Sequence, residues 1–203
     1  MFGITILAAG RSQRMGQPKL LLPWGRTSVL GHLVWQWQDL GAAQIAVVCA
    51  GGDASLETEL DRIKFPGEQR IVNIAPERGM FSSIRCAAQW QGWNPGLTHF
   101  VIALGDQPHL PRETLRKMIQ FSETHPDHIC VPRQGGHRRH PVWLPAKAFL
   151  EIAHSGAVDL RDFLDRPPVP VNFCEITDRA LELDIDYPED YERAKQLYLR
   201  ERN

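Results

Sequence analysis

The residues best equipped for chemistry lie near the start of the chain, in LAAGRSQRMGQPK at positions 7–19. Gly10 and Gly16, with the small Ala8 and Ala9, allow tight turns and close approach of the backbone to a ligand. Arg11, Arg14 and Lys19 set three cations within nine positions, enough to surround a triphosphate. Successive backbone N–H groups can complete the anion cradle. Such a cradle would neutralise the β and γ phosphates, favour attack at the α phosphorus and stabilise departing pyrophosphate. Two better-known phosphate loops fit badly. A Walker A loop needs GxxxxGK[ST], whereas Gly16 is followed by Gln17, Pro18 and Lys19, with Leu20 where a magnesium-binding hydroxyl should stand. A dinucleotide fingerprint needs GxGxxG, which AGRSQRMG lacks. A plain basic surface turn is the remaining alternative.

Carboxylates that can answer this loop come much later. Asp106 follows the apolar stretch 100–104, at the strand end where open α/β sheets bind ligands, and can hold Mg²⁺ against phosphate oxygens. Taken alone, an Asp there is more often a turn or helix cap. Asp184 and Asp186 are two residues apart and, on a strand, point to one face, offering a second source of metal oxygens. His137 and His140 flank Arg138 and Arg139. No cysteine lies near them, so a substrate-facing basic turn suits the segment better than a zinc site, with a solvated loop as the alternative. Trp24, close to Lys19, is a candidate border for the pocket.

These groups must be positioned by a scaffold, and the apolar pattern supplies one. Residues 2–8, 45–49, 70–74, 100–104 and 129–132 read as strands, the first without an alternating polar face and therefore buried on both sides. Residues 30–40, 54–63, 80–90, 111–122 and 145–154 read as helices, and Pro188 leads into a last one. Pro111 falls in the first turn of its helix, and Ser82 or Ser83 lies near the first turn of 80–90. Strand and helix alternating at this spacing predict an α/β fold with a mostly parallel sheet. Residues 134–140 read as a turn, 166–170 as a proline-rich connector, and 181–185 as alternating.

The 203 residues suit one domain with a core that needs no staples, the N-terminal half facing the nucleotide and the C-terminal half mainly an acceptor. The formal net charge of −1 argues against a polynucleotide partner. Cys49, Cys86, Cys130 and Cys174 are widely spaced, lie beside apolar or small residues and read as buried reduced thiols. There is no signal-peptide pattern and no apolar run of membrane-spanning length, so the cytoplasm is the expected location and no membrane partner is expected.

LAAGRSQRMGQPKLLLPWG at 7–25 resembles the signature loop of the molybdenum cofactor cytidylyltransferase and guanylyltransferase family, MobA-like members of the nucleotidyltransferase superfamily. NIAPERGMFSSIRCA at 73–87, LGDQPHL at 104–110, GGHRRHPVWLP at 135–145 and LDIDYPEDY at 183–191 resemble that family in the same order. The resemblance implies a Rossmann-like three-layer α/β/α fold. It further implies Mg²⁺-dependent transfer of a nucleoside monophosphate from an NTP to the terminal phosphate of a molybdopterin-type cofactor, with a molybdoenzyme or its maturation chaperone downstream. Carried over residue by residue, Leu7, Ala8, Ala9 and Gly10 would contact base and ribose, and Arg11, Arg14 and Lys19 the triphosphate. Ser82 or Ser83 would line the nucleotide pocket. Asp106, with Asp184 or Asp186, would hold the metal, and His137, Arg138, His140 and Pro141 would shape the acceptor side. AAG at 8–10 is similar to the cytidylyl branch, which implies CTP; the guanylyl branch more often has AGG.

Two segments depart from the family pattern. Arg139 stands where a small residue is usual, and SGAVDLR at 155–161 stands where an acidic, glycine-rich segment is common. Both bear on the acceptor. A nucleotidyltransferase using GTP or another NTP with a different phosphorylated acceptor, and a nucleotide-binding delivery protein without turnover, remain the alternatives.

Overall fold

A computed structural model describes residues 1–201. The chain opens with β1 (Phe2–Leu7) and, after the basic loop, a small hairpin of β2 (Pro23–Trp24) and β3 (Thr27–Ser28). Then follow α1 (Val29–Asp39), β4 (Gln44–Ala50), α2 (Ala54–Arg62), β5 (Arg70–Asn73), α3 (Met80–Gln89), β6 (His99–Leu104) and α4 (Arg112–Thr124). The second half contains β7 (Ile129–Gln134), β8 (His137–Arg138), β9 (Val142–Pro145), α5 (Ala146–Glu151), α6 (Leu160–Asp165), β10 (Val171–Glu175) and α7 (Pro188–Glu201).

Eight strands form one sheet in the order β10-β7-β9-β6-β1-β4-β5, with β8 paired to β7. β1 lies parallel between β4 and β6, with Leu7 level with Val48 and Leu104. β9 runs antiparallel to both neighbours, and β8 antiparallel to β7. The sheet is therefore mostly parallel and covered on both faces, a three-layer α/β/α architecture.

The apolar runs follow from that double cover. Alternate residues of β4 go to opposite sides: Ile45, Val47 and Cys49 join a core with α1, α2, α4 and α7. Ala46 and Val48 join a second core with α3, α5 and α6. A strand with no polar face is what such a position requires. In α3, Phe81, Ile84 and Ala88 face the second core, so the end of the helix bearing Met80 is delivered to the edge of the sheet.

Several expectations change. Residues 183–186 form no strand; they follow a 3₁₀ turn (Arg179–Glu182) and lie across the 105–107 loop through the Ile185 N–H donated to the Asp106 carbonyl, 3.1 Å. Pro111 precedes α4 instead of sitting within its first turn. The 134–140 turn is a hairpin whose arm is β8. The β2–β3 hairpin, α6 and β10 are elements that short length or weak periodicity hid. Cys49, Cys130 and Cys174 are buried, Cys86 is half-buried, and all four are free. The end of the charged tail, 202–203, lies outside the described residues. No described helix is long and apolar enough to cross a membrane.

Candidate active site

Because β1 and β6 are adjacent and parallel, their carboxyl ends release two loops side by side, one basic and one acidic. Gly105 makes this juxtaposition possible: a Cβ there would lie 2.6 Å from the Leu7 carbonyl oxygen, inside contact distance. With glycine in place, the Gly105 N–H donates to that oxygen at 3.2 Å, and Asp106 follows directly.

The basic loop has its own internal order. Ser12 adopts a left-handed backbone, φ 47°, and its Oγ accepts the Lys19 N–H at 3.2 Å. This closes the loop into a ring that turns Lys19 back over the sheet. The Lys19 ammonium donates to Asp106 Oδ2 at 2.7 Å, to the Ile185 carbonyl at 2.9 Å and to Asp186 Oδ1 at 3.3 Å. Arg14 reaches the other oxygen of the same carboxylate, Asp186 Oδ2, at 2.9 Å, and its guanidinium lies 5.9 Å from the centre of the Tyr187 ring. Three stretches far apart in sequence thus converge: the loop after β1, the loop after β6 and the segment before α7.

Asp184 joins from one side. Gln107 Nε2 donates to Asp184 Oδ1 at 2.8 Å. Burial of the carboxyl group, followed by the neighbouring Asp106 and Asp186 carboxylates, pushes its pKa up to about 6, against the pull of the Gln107 amide and Lys19. His109, fully buried, donates Nε2–H to the Ala180 carbonyl at 3.0 Å and ties the 3₁₀ turn to the acidic loop; the tautomer follows from the carbonyl being only an acceptor. Burial holds this imidazole below its usual pKa. Gln107, His109 and the Ile185 carbonyl were not singled out in the sequence. Only the contacts with Asp184, Ala180 and Lys19 reveal them.

Three hollows lie around this cluster. A cleft of about 330 Å³ is lined by Leu7, Ala8, Ala9, Gly10, Lys19 and Asp106 on one wall, and by Met80 and Ser83 on the other. Ser83 lines it and Ser82 does not: the Ser82 hydroxyl donates to the Gly79 carbonyl at 2.7 Å, and Asn73 Nδ2 donates to both serines. Arg11, Arg14, Lys19 and Asp186 line an adjoining hollow of about 310 Å³. A larger cavity of about 580 Å³ is lined by His137, Arg138, His140 and, beyond expectation, Arg139, Asp159 and Arg161. Met80 lines both the cleft and this cavity. Pro141 is buried behind the cavity wall. Arg138 pairs with Asp165 at 2.7 Å. The His140 ring makes a contact at 3.4 Å with the Ile102 carbonyl, and burial lowers its pKa. Trp24 takes no part; it is buried against Tyr191 and Tyr198.

The donor set suits a small hard cation. Asp106 Oδ1 is buried with no hydrogen-bond partner among the described residues, and a lysine ammonium already sits between Asp106 and Asp186. Yet no three carboxylate, imidazole or thiolate groups among the described residues converge closely enough to hold an ion unaided. One or two carboxylates, with phosphate oxygens completing the shell, is how Mg²⁺ is usually held at phosphate sites.

A mostly parallel sheet with a basic glycine loop after its first strand and a half-buried carboxylate after the adjacent strand defines a nucleotide-handling α/β protein. The chain belongs to the MobA-like NTP transferase domain family, whose profile matches residues 4–171, and is a nucleotidyltransferase. It is 30% identical to the molybdenum cofactor guanylyltransferase of Rhizobium johnstonii, across 95% of this chain and 90% of that protein. It is 26% identical to the molybdenum cofactor cytidylyltransferase of Escherichia coli, across 95% of each. The crystal structure of Rv0371c from Mycobacterium tuberculosis H37Rv superposes with a TM-score of 0.74 at 28% identity, covering 96% of this chain and 97% of that one. The Rv0371c complex with manganese gives 0.70 at 26% identity, covering 96% and 98%.

Proposed function

We propose that the protein transfers a nucleoside monophosphate from an NTP to the terminal phosphate of a molybdopterin-type acceptor, releasing pyrophosphate. The observation that carries this reading is the convergence of Lys19 and Arg14 with Asp106 and Asp186 at the mouth of the 7–10 cleft. Base and ribose would lie along Leu7, Ala8, Ala9 and Gly10, opposite Ser83, and the phosphates would run past Arg11, Arg14 and Lys19. The acceptor would occupy the cavity of His137, Arg138 and His140, with Pro141 behind its wall. Reaction would then take place near Met80, where the two hollows meet.

A divalent ion, Mg²⁺ or Mn²⁺, bound to Asp106 with Asp184 or Asp186, would withdraw charge from the phosphates when present. Lys19 and Arg14 stabilise charge developing on the pyrophosphate. Because the attacking phosphate monoester is already ionised near neutral pH, these residues need supply no general base. Alignment of the two substrates is the chief task left to the protein.

CTP is the donor that Ala8-Ala9-Gly10 suggests, but the relatives weigh towards another. The guanylyl relative is 30% identical and the cytidylyl one 26%, over the same share of this chain. One alanine methyl is a slight basis for excluding a purine. GTP is therefore the first donor to test and CTP the second. Purified protein with Mg²⁺, each of the four NTPs and molybdopterin should release pyrophosphate and give a dinucleotide product by mass. Product only with a different phosphorylated acceptor would overturn the pterin assignment and leave the transfer chemistry standing. Binding without pyrophosphate release would overturn both.

A further inference from the structure

The arrangement around Lys19 contains a conflict of roles. An ammonium has three N–H donors, and those of Lys19 are matched by Asp106, the Ile185 carbonyl and Asp186. Asp186 in turn gives Oδ1 to Lys19 and Oδ2 to Arg14. The cations assigned to the triphosphate are thus held by carboxylates assigned to the metal, and a single side chain clasps both.

We infer that Asp186 is a latch, a positioning residue that couples nucleotide binding to divalent-ion binding; this rests on the cleft being an NTP site. A nucleotide arriving without a metal ion must draw Lys19 and Arg14 away from Asp186. That leaves Asp106, whose Oδ1 already lacks a partner, and Asp186 uncompensated beside a polyanion. A metal ion arriving alone meets the Lys19 ammonium between its two carboxylates. When both arrive together the pairs exchange: the cations pass to phosphate oxygens as the ion takes over the carboxylates. Each ligand therefore binds weakly alone and tightly with the other.

Titration calorimetry on the full chain without acceptor tests this, using GTP and CTP with Mg²⁺ or with EDTA, and Mg²⁺ alone. For the wild type, the metal-loaded nucleotide should bind at least about tenfold more tightly than the metal-free one, within the usual span of site-to-site coupling. Asp186→Asn should tighten metal-free binding about fivefold or more and loosen metal-loaded binding, so that the ratio collapses. Asp186→Ala repeats the test with the carboxylate removed outright. A residue acting only as a metal ligand would leave metal-free affinity unchanged, and that result overturns the latch. Glu77→Gln removes an exposed carboxylate from the Pro76–Arg78 turn at the cleft rim. If it tightens metal-free binding equally, the effect is bulk charge and the latch again fails. Binding that ignores the metal overturns the latch alone, whereas no binding of any NTP under any condition overturns the nucleotide site as well.

Discussion

The cleft and the proposed acceptor cavity share Met80 but are built in different ways. In the cleft and its adjoining hollow, Lys19 and Arg14 are fixed by partners 87 and 172 positions away, so their geometry depends on the whole fold. The cavity draws most of its wall from two short stretches, 136–142 and 159–165, with the Arg138–Asp165 pair linking them. Moving a cleft residue would disturb strands β1 and β6 and the segment before α7 together. Moving a cavity residue disturbs a hairpin or a six-residue helix. The cleft is thus suited to keeping one chemistry, and the cavity to changing its substrate, in accord with the two departures from the family pattern falling at 135–140 and 155–161.

The sharpest way to break this contrast is Lys19→Ala. With no ammonium to stabilise the leaving pyrophosphate, the rate at saturating substrates should fall about 10²- to 10³-fold, read as pyrophosphate release, with the fold retained by circular dichroism. Unchanged turnover would remove the cleft from the chemistry. Arg138→Ala and Arg161→Ala should act on the other side: a lost charged contact to an acceptor phosphate is worth about 1.5 kcal/mol, roughly a tenfold rise in the acceptor KM. Their kcat and NTP KM should stay near wild type. A rise in the NTP KM alone would mean that the two hollows have been assigned the wrong way round.

Smaller still is Ala9→Gly. Ala9 lines the cleft, and removing its methyl widens the wall proposed to face the base. One methyl is worth about 1–3 kcal/mol in such discrimination, so the GTP-to-CTP ratio of kcat/KM should move at least about fivefold towards GTP. A ratio that does not move would place base selection elsewhere.

How far the sequence carried this picture depended on the kind of signal. β1, β4 and β6 were readable because strands buried on both faces leave continuous apolar runs. Lys19 and Asp106 were readable because an exceptional loop and a strand end drew attention to them. Asp184 and Asp186 were found by composition but given the wrong backbone: two carboxylates in alternation mimic a strand, whereas the segment is held by the Ile185 N–H to the Asp106 carbonyl, a contact no local pattern encodes. Gln107 and His109 could not be recognised for the same reason. A glutamine beside a proline, or a histidine two residues before another, acquires meaning only when the partner 71 or 77 positions away is known. The β2–β3 hairpin and α6 escaped because strands of two residues and a helix of six are too short to repeat their period.

His109 provides the finest test, since it joins the long-range construction of the cleft to pH. Its ring is fully buried, and desolvation holds its pKa below the usual 6.5. Above pH 6.5 the imidazole is neutral in both folded and unfolded chains and imposes no penalty. As pH falls below that value, the unfolded chain takes up a proton that the folded ring resists, so unfolding becomes easier until the folded pKa is passed. His109→Gln keeps an N–H donor for the Ala180 carbonyl but cannot titrate. Between pH 7.5 and 5.5 the wild type should lose on the order of 2–4 °C in Tm more than this variant, the shift expected from about 1 kcal/mol in a chain of this size. Because His99 and His140 also have lowered pKa values, the informative quantity is the difference between the two proteins rather than either slope. Parallel curves would show that the 3₁₀ turn is tied to the acidic loop without a pH-sensitive ring.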